Sequence, residues 1–371
     1  MRFNGLALLF LSCAITAPAA AASPHELSTL WEVYKSTYIQ GGRVVSLDEG
    51  GLTTSEGQGY AMLRAVWSND RDTFDRVWTW THENLQVRRD NLFAWKWKDQ
   101  VLDLHSATDA DTDIALALIL AGRRFSEPSY TEEARNILAS LWNAEVLPIG
   151  GRNFIVSGDW SIAEEYPTIH VAYLAPYAYA VFAKEDPGHQ WSSLIESSYA
   201  VLHWIYFDQN LTLPPETIFI GKKDGQLFVK HPQTGQTSSF GYDAVPIFWR
   251  VALDQQWHGR RDSAELRRRM MVFFEKEWAE KGRFLDRYGP DGSPQSNQEG
   301  LALYATVHSL ALVENKSLAK DIWTRNLNGL QTQALTAPAG ITYYLQNWLW
   351  FDRAFENRQI RLYDGFFRFW R

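Results

Sequence analysis

The feature of this 371-residue chain that most constrains its fold is a long succession of apolar or amphipathic segments, each of helical length. Their hydrophobic residues recur with the spacing of one helix face, and few runs alternate as strands do. About twelve helices are predicted, over residues 26–39, 55–68, 72–85, 112–125, 131–147, 169–183, 191–207, 243–256, 263–280, 299–313, 318–330 and 341–355. Short connections favour antiparallel neighbours, so the segments can close into a ring of six helical hairpins with longer loops at one end.

One stretch, residues 210–240, departs from this helical pattern. The runs "TIFIG" and "QLFVK" flank "KKDG", which is typical of a β-hairpin. The sequence therefore predicts an all-α fold with a small β-hairpin insertion. No Pro/Ser-rich linker divides the chain, and we expect a single domain over residues 23–371.

The N-terminus has the pattern of a signal peptide over residues 1–22, with Arg2, an apolar core and small residues before a cleavage site near Ala22. The apolar stretch is too short to span a bilayer comfortably. We expect an exported protein, periplasmic or secreted, without membrane insertion in its mature form. Cys13 is the only cysteine, so a mature chain would hold no disulfide; lipid attachment at Cys13 is an alternative that the preceding residues fit poorly.

Charge and aromatic content narrow the range of partners. The formal net charge is −7, without the basic face that a nucleic-acid site needs, so no nucleic-acid partner is expected. The chain also contains 17 tryptophans. Large rings commonly fill helix–helix interfaces, and the alternative interpretation is that several stack against sugar rings in a groove.

Three aspartates stand at alternate positions in "DADTD", directly before a strongly apolar run. An EF-hand calcium loop that began at Asp109 would need glycine at its sixth position and glutamate at its twelfth. Ile114 and Leu120 occupy these positions, which argues against calcium. Asp109 or Asp111 could cap the following helix, but a cap uses one carboxylate and leaves the others unexplained.

Two further acidic residues stand at predicted helix starts. Glu56 lies in "SEGQG", where Gly57 and Gly59 leave room for a ligand, although a capping-box role is an alternative. Asp243 follows an aromatic residue and opens an apolar helix, where it could be an N-cap. In a ring of hairpins such helix starts can converge at one end. Two converging carboxyl groups, one protonated and one ionised, are what glycoside hydrolysis requires.

These stretches resemble the motifs of glycoside hydrolase family 8. "ATDADTDIALALILAGRRF" resembles the family signature, "TTSEGQGYAM" its general-acid motif and "YDA" at 242–244 its base motif. The similarity extends over most of the mature chain, and "WEVYKSTYIQGGRVV" is most similar to the endoglucanases associated with cellulose synthase. The resemblance implies an (α/α)6 barrel, which agrees with the helix count.

The resemblance also implies an inverting mechanism. Glu56 would be the general acid, Asp243 the base that activates water, and Asp109 the residue that holds the sugar in a distorted ring. Asp109 would also raise the pKa of Glu56 by like-charge repulsion, together with burial. Asp111 is expected to bind substrate at the cleft rim or to support the backbone, and Asp113 to serve the first turn of the helix.

Aromatic residues complete the predicted substrate site. Tyr173 matches a family tyrosine near the attacking water, with a core position as the alternative. Trp95 and Trp97 resemble the sugar-stacking segment, and their alternation favours Trp95 as the one facing the groove. Tyr242, beside the base, is expected to line the cleft.

One position departs from the family pattern. Family members commonly carry an arginine three residues after the base, where this chain has Pro246. Arg250, one turn further on, either compensates for that arginine or lies on the surface.

The sequence thus predicts an exported inverting endo-β-1,4-glucanase that acts on cellulose-like glucans without a metal or other cofactor. The cellulose synthase complex is a possible partner. The alternatives are a xylanase or chitosanase of the same family, and a non-catalytic glucan-binding component of a cellulose-export complex.

Overall fold

The computed structural model describes residues 24–223, 226–232 and 238–364. The predicted signal peptide, with Cys13, and the residues Asp224 and Gly225 of the predicted hairpin lie outside the described residues. The helices are α1 Pro24–Tyr38, α2 Ser55–Trp67, α3 Arg71–Asn84, α4 Thr108–Phe125, α5 Pro128–Glu145, α6 Asp159–Ile162, α7 Pro176–Glu185, α8 Trp191–His203, α9 Pro246–His258, α10 Ala264–Lys281, α11 Leu301–Glu314, α12 Lys316–Ile322, α13 Asn328–Thr336 and α14 Tyr343–Glu356. The strands are β1 Ile39–Gln40, β2 Arg43–Val44, β3 Thr53–Thr54, β4 Lys96–Lys98, β5 Gln100–Asp103, β6 Val146–Ile149, β7 Arg152–Ile155, β8 Thr168–His170, β9 Thr217–Lys223 and β10 Gln226–Lys230.

Six helices form a closed inner ring. Helix α2 packs against α4, α4 against α7, α7 against α9, α9 against α11, α11 against α14, and α14 against α2. The other long helices lie outside this ring. Most of them pack on an inner helix that is close in the chain, as α3 packs on α2 and α5 on α4, whereas α1 packs on α14. This is the double ring of an (α/α)6 barrel, and it confirms the predicted fold class.

The two rings differ in composition for a simple physical reason. Inner helix α11, "LALYATVHSLALVE", is buried at every position from Ala302 to Ala311, as expected of a helix that is apolar on all sides. Outer helix α3 buries only Thr73, Phe74, Val77 and Thr81 along its length. The apolar run behind "DADTD" therefore marks α4 as an inner helix.

The strands are more numerous than the sequence predicts. The hairpin of β9 and β10 is confirmed, but β8 joins it as a third antiparallel strand. The predicted helix over 169–183 is wrong in its first part, because α7 begins only at Pro176, where the missing proline N–H suits a first helical turn. Strands β3, β4 and β5 form a second three-stranded sheet.

Helix α4 begins earlier than predicted, at Thr108. Its N-cap is Ala107, which makes no side-chain capping bond. Asp109 and Asp111 therefore lie in the first turn, and the interpretation of either as a helix cap is wrong. The three aspartates are two residues apart in a helix, so their side chains point in different directions around the start of one inner helix.

The close packing of α4 on α5 gives a test of this fold. A Cβ added at Gly122 in α4 would lie 2.4 Å from Thr131 Oγ1 and 3.2 Å from the Glu127 carbonyl oxygen. We expect Gly122→Ala to lower the free energy of unfolding by about 1–2 kcal/mol, since overpacking outweighs the gain in helix propensity. The matched control is Gly329 in α13, where an added Cβ meets nothing within 4 Å.

Gly329→Ala is expected to raise the free energy of unfolding by about 0.5–1 kcal/mol. Urea denaturation followed by circular dichroism measures both variants. Equal effects in the two variants would contradict the assigned α4–α5 contact.

Candidate active site

A cavity of about 770 Å³ lies at the end of the barrel where the inner helices begin. Glu56 at the start of α2, Asp109 at the start of α4 and Tyr343 at the start of α14 all line it. Tyr173 and Asp243, in the short turns that precede α7 and α9, line it as well. Five of the six inner helices thus deliver a polar side chain to one cavity, as the ring of hairpins predicted.

Glu56 is free of a capping role. Thr54 is the N-cap of α2, and its Oγ1 accepts a hydrogen bond of 3.1 Å from the Gly57 backbone N–H. Glu56 is the second residue of the helix, whereas a capping box would need it to be the third, so that alternative is wrong. Its Oε1 accepts a hydrogen bond of 3.5 Å from the Tyr343 hydroxyl.

The surroundings of Glu56 favour its protonated form. Burial raises its pKa well above the usual value, and the charges of Asp109, Asp243 and Asp113 raise it further, while Arg250 acts in the opposite direction. The expected repulsion from Asp109 is therefore present, but burial is the larger cause. Together they outweigh the helix dipole, which favours a carboxylate at this position. Glu56 is suited to donate a proton near neutral pH.

Asp109 lies at the floor of the cavity and is only 4% exposed. Burial raises its pKa to about 7, against the lowering effect of Arg250. Its Oδ1 is buried and has no hydrogen-bond partner among the described residues. Because an unpaired buried oxygen carries a desolvation cost, a sugar hydroxyl in the cavity is a fitting partner.

Asp113 forms a buried ion pair with Arg250, which links α4 to α9. Arg250 Nη2 lies 3.0 Å from Asp113 Oδ2, and the Tyr177 hydroxyl donates to Asp113 Oδ1 at 3.1 Å. The prediction that Asp113 serves the first helical turn is wrong, because its side chain is committed to these partners. Arg250 is 1% exposed and lines the cavity, so the alternative of a surface position is also wrong.

Asp111 does not line the cavity. It is fully buried, and its Oδ1 accepts a hydrogen bond of 3.1 Å from the Phe93 backbone N–H. This placement matches the backbone-supporting interpretation and not the predicted contact with substrate. Burial and the charge of Glu145 raise the pKa of Asp111 well above its usual value. Burial likewise raises the pKa of Glu145 to about 8. The protonated forms of both carboxyl groups are therefore favoured.

Asp243 lies in a 3-10 turn, Tyr242–Ala244, and its side chain is exposed to the cavity. The N-cap of α9 is Val245, so the N-cap alternative for Asp243 is wrong. Pro246 is the first residue of α9 and also lines the cavity. Where family members carry an arginine, the cavity wall therefore contains a proline ring.

Trp95 and Trp97 occupy different positions, and Trp95 is the one that faces the cavity. Trp95 lines the cavity, whereas Trp97 packs edge-on against Trp80 with ring centroids 5.2 Å apart. Tyr242 is exposed at the cavity and stacks on Tyr344, with centroids 4.2 Å apart. A stacked pair of rings at a cavity wall is the flat surface that sugar rings favour.

Sequence reasoning missed several residues of the cavity wall. Tyr343 and Tyr344 begin α14, and the aromatic pair in "ITYYL" at a predicted helix start is the signal that could have found them. His170 and Trp160 also line the cavity, and nothing in the sequence around them indicates this. Tyr173 lines the cavity with its ring 4.9 Å from the ring of His170, which places it at the predicted site.

Within residues 24–223, 226–232 and 238–364, no group of three or more His, Cys, Asp or Glu side chains is arranged to hold a metal ion. In the same part of the chain, no helix combines the length and apolar character needed to cross a membrane.

A comparison with known families shows which family this chain belongs to. The model of glycosyl hydrolases family 8 matches residues 3–344. The chain belongs to glycosyl hydrolase family 8. Among curated relatives, a probable endoglucanase of Novacetimonas hansenii is 30% identical over 240 residues, which are 62% of this chain and 68% of the relative. An endoglucanase of Salmonella typhi is 35% identical over 209 residues, 53% of this chain and 55% of the relative.

A solved structure shows that the family fold extends across the whole described barrel. The endo-β-1,4-glucanase CMCax of Acetobacter xylinum superposes with a TM-score of 0.72 at 21% identity, covering 91% of this chain and 99% of that one. At this identity the likeness concerns the fold. By contrast, the chain spans only about half to two thirds of the length of the two curated relatives described above.

The Asp113–Arg250 pair gives the first prediction from the site. We expect Asp113→Ala to lower the free energy of unfolding by about 3–5 kcal/mol, because it leaves the Arg250 guanidinium buried without its ion pair. The control is Glu280→Gln, which removes an exposed partner of Lys276 at 4.0 Å and should cost less than about 0.5 kcal/mol. Urea unfolding curves compare them, and equal losses would contradict the importance of the buried pair.

The buried carboxyl group of Glu145 gives the second prediction. The folded protein retains a proton on Glu145 that the unfolded chain releases, so its stabilising effect is complete below about pH 4.5 and is lost as the pH rises through about 8. Glu145→Gln should therefore flatten the fall in free energy of unfolding over that range, by up to about 1.4 kcal/mol per pH unit. Urea midpoints at several pH values measure this, and Glu83→Gln, at an exposed position of α3, should keep the wild-type slope.

Proposed function

We propose that this protein is an inverting endo-β-1,4-glucanase that cleaves internal bonds of cellulose-like chains. The observation that carries the proposal is that Glu56, whose pKa is raised well above its usual value, and the exposed side chain of Asp243 line one cavity at the barrel end. These are the two groups that an inverting glycosidase needs, one as acid and one as base. Membership of glycosyl hydrolase family 8 and the endoglucanase relatives support the same activity.

The proposed reaction is a single displacement. Asp243 takes a proton from a water molecule while the water oxygen bonds to the anomeric carbon. The bond from that carbon to the glycosidic oxygen breaks, and Glu56 gives its proton to the leaving oxygen. Room for the water requires the two carboxyl groups to lie roughly 6.5–9.5 Å apart, and the product has the inverted anomeric configuration.

Asp109 is proposed to bind the sugar at the point of cleavage. Its buried, unpartnered Oδ1 is suited to a sugar hydroxyl. Arg250 holds its ion pair with Asp113 close by and limits the rise in the pKa of Asp109. The stacked Tyr242 and Tyr344 and the indole of Trp95 are proposed as the flat surfaces for neighbouring sugar units.

The biological setting is a further part of the proposal. The N-terminal pattern over residues 1–22 supports export to the periplasm or the outside of the cell, with residues 23–371 as a single catalytic domain. We propose that the enzyme acts on glucan made by a cellulose synthase complex. The similarity of its N-terminal segment to the endoglucanases associated with cellulose synthase supports this assignment.

Removal of the acid tests the activity itself. Glu56→Gln should lower the release of reducing sugar from carboxymethylcellulose by about 10²–10⁴-fold, because the general acid supplies that much of the rate. Glu83→Gln should retain wild-type activity. Unchanged release from a folded Glu56→Gln protein would overturn the assignment of the acid.

Substrate choice is tested with cellopentaose, xylopentaose and chitopentaose. We expect the fastest cleavage with cellopentaose and a first product of inverted configuration by proton NMR. Faster cleavage of either other substrate would favour a xylanase or chitosanase. Tight binding of cellopentaose without cleavage would instead favour the non-catalytic alternative.

A further inference from the structure

The attacking water needs hydrogen-bonding partners on the base side of the cavity, and Tyr173, which lines the cavity, is expected to be one of them. One proton of that water passes to Asp243, and the remaining O–H group needs a second hydrogen-bonding partner that orients the oxygen. Pro246, which lines this side of the cavity, has no polar side-chain atom to offer. The two terminal nitrogens of Arg250 are already bound, Nη2 to Asp113 and Nη1 to the Tyr177 hydroxyl, at 3.0 Å each.

His170 is fixed at the edge of the same cavity. It is the last residue of β8, where it pairs with Thr217 of β9. Its backbone N–H donates to Ser157 Oγ at 2.8 Å. Its ring lies 4.9 Å from that of Tyr173 and 6.5 Å from that of Trp160. Strand pairing and ring packing on two sides therefore leave the imidazole little freedom to move.

The imidazole has the hydrogen-bonding capacity that the water needs. Nδ1 is buried and has no hydrogen-bond partner among the described residues. Burial lowers the pKa of His170, although the charge of Asp243 acts to raise it. The ring is thus neutral at pH 7 and carries both an N–H donor and a lone pair. His170 and Asp243 both line the cavity.

We propose that His170 is a water-positioning residue, which holds the attacking water against Asp243 together with the Tyr173 hydroxyl. The inference rests on the proposed hydrolysis and adds a residue to it. His170 keeps its own protons throughout: one proton of the water passes to Asp243, and the other stays on the oxygen that bonds to the anomeric carbon. In this chain the imidazole, carried by β8, supplies the hydrogen-bonding group that Pro246, at the start of α9, lacks.

The test compares His170→Ala and His170→Asn in the full chain with the wild type. Cleavage of cellopentaose is expected to lose about 10- to 100-fold in kcat, with KM changed less than about threefold, since the water and not the sugar is misplaced. Added imidazole should restore part of the lost kcat in His170→Ala. The control is His203→Ala at the end of α8, whose ring is 59% exposed and faces Asp208; its kcat should stay at the wild-type value with or without imidazole.

Several results would overturn the inference. One is an unchanged kcat in a folded His170→Ala protein. Another is a raised KM at constant kcat, which would mark a sugar contact. If His170→Ala does not fold, as judged by circular dichroism, a wild-type kcat in folded His170→Asn decides against the role. A wild type that cleaves no glucan would instead contradict the proposed hydrolysis, and the water-holding role with it.

Discussion

The buried ion pair between Asp113 and Arg250 ties two inner helices together directly beneath the cavity. Each partner alone would be a charge taken out of water at high cost, and the pair is stable because the Tyr177 hydroxyl bonds to both. The pair fixes where α4 and α9 stand relative to each other. It thereby sets the distance between Asp109, which α4 carries, and Asp243, which precedes α9. The electrostatics of the cavity also depend on it, because Arg250 is the cation that opposes the acidic groups around it.

The carboxyl groups lie in different environments and do not form one uniform acidic site. At the cavity Glu56 is half-buried and Asp109 is buried, and their removal from water favours the protonated forms. Asp111 and Glu145 lie behind the cavity wall, where the pKa of Asp111 is also raised. The hydrogen bond from the Phe93 backbone N–H to Asp111 links the start of α4 to the neighbouring backbone. Asp243 faces the open side of the cavity. The proposed acid, Glu56, and the proposed base, Asp243, thus differ in their exposure to solvent, and such a difference can give two carboxyl groups opposite tasks.

The two sides of the site are built from different kinds of element. On the acid side, Glu56 and Asp109 lie within first helical turns, whose backbone is fixed by the helices themselves. On the base side, Asp243 stands in a short turn, and the residues around it come from β8 and from the start of α14. The wall on this side is thus assembled from several elements, and the proposed water-positioning histidine comes from a strand, whereas Pro246 begins a helix.

The sequence by itself determined the local properties of the chain: most of its helical segments, the β9–β10 hairpin, and the acidic motifs around Glu56, Asp109 and Asp243. These follow from periodicity and spacing within short segments. Tertiary structure alone decided the partner of Asp113, the buried place of Arg250, the position of Asp111 behind the wall, and the meeting of Tyr343 and His170 at the cavity. Asp113 and Arg250 stand 137 positions apart, and no local pattern specifies a contact over that distance. Closure of the ring brings such residues together, and it depends on the packing of all six inner helices at once.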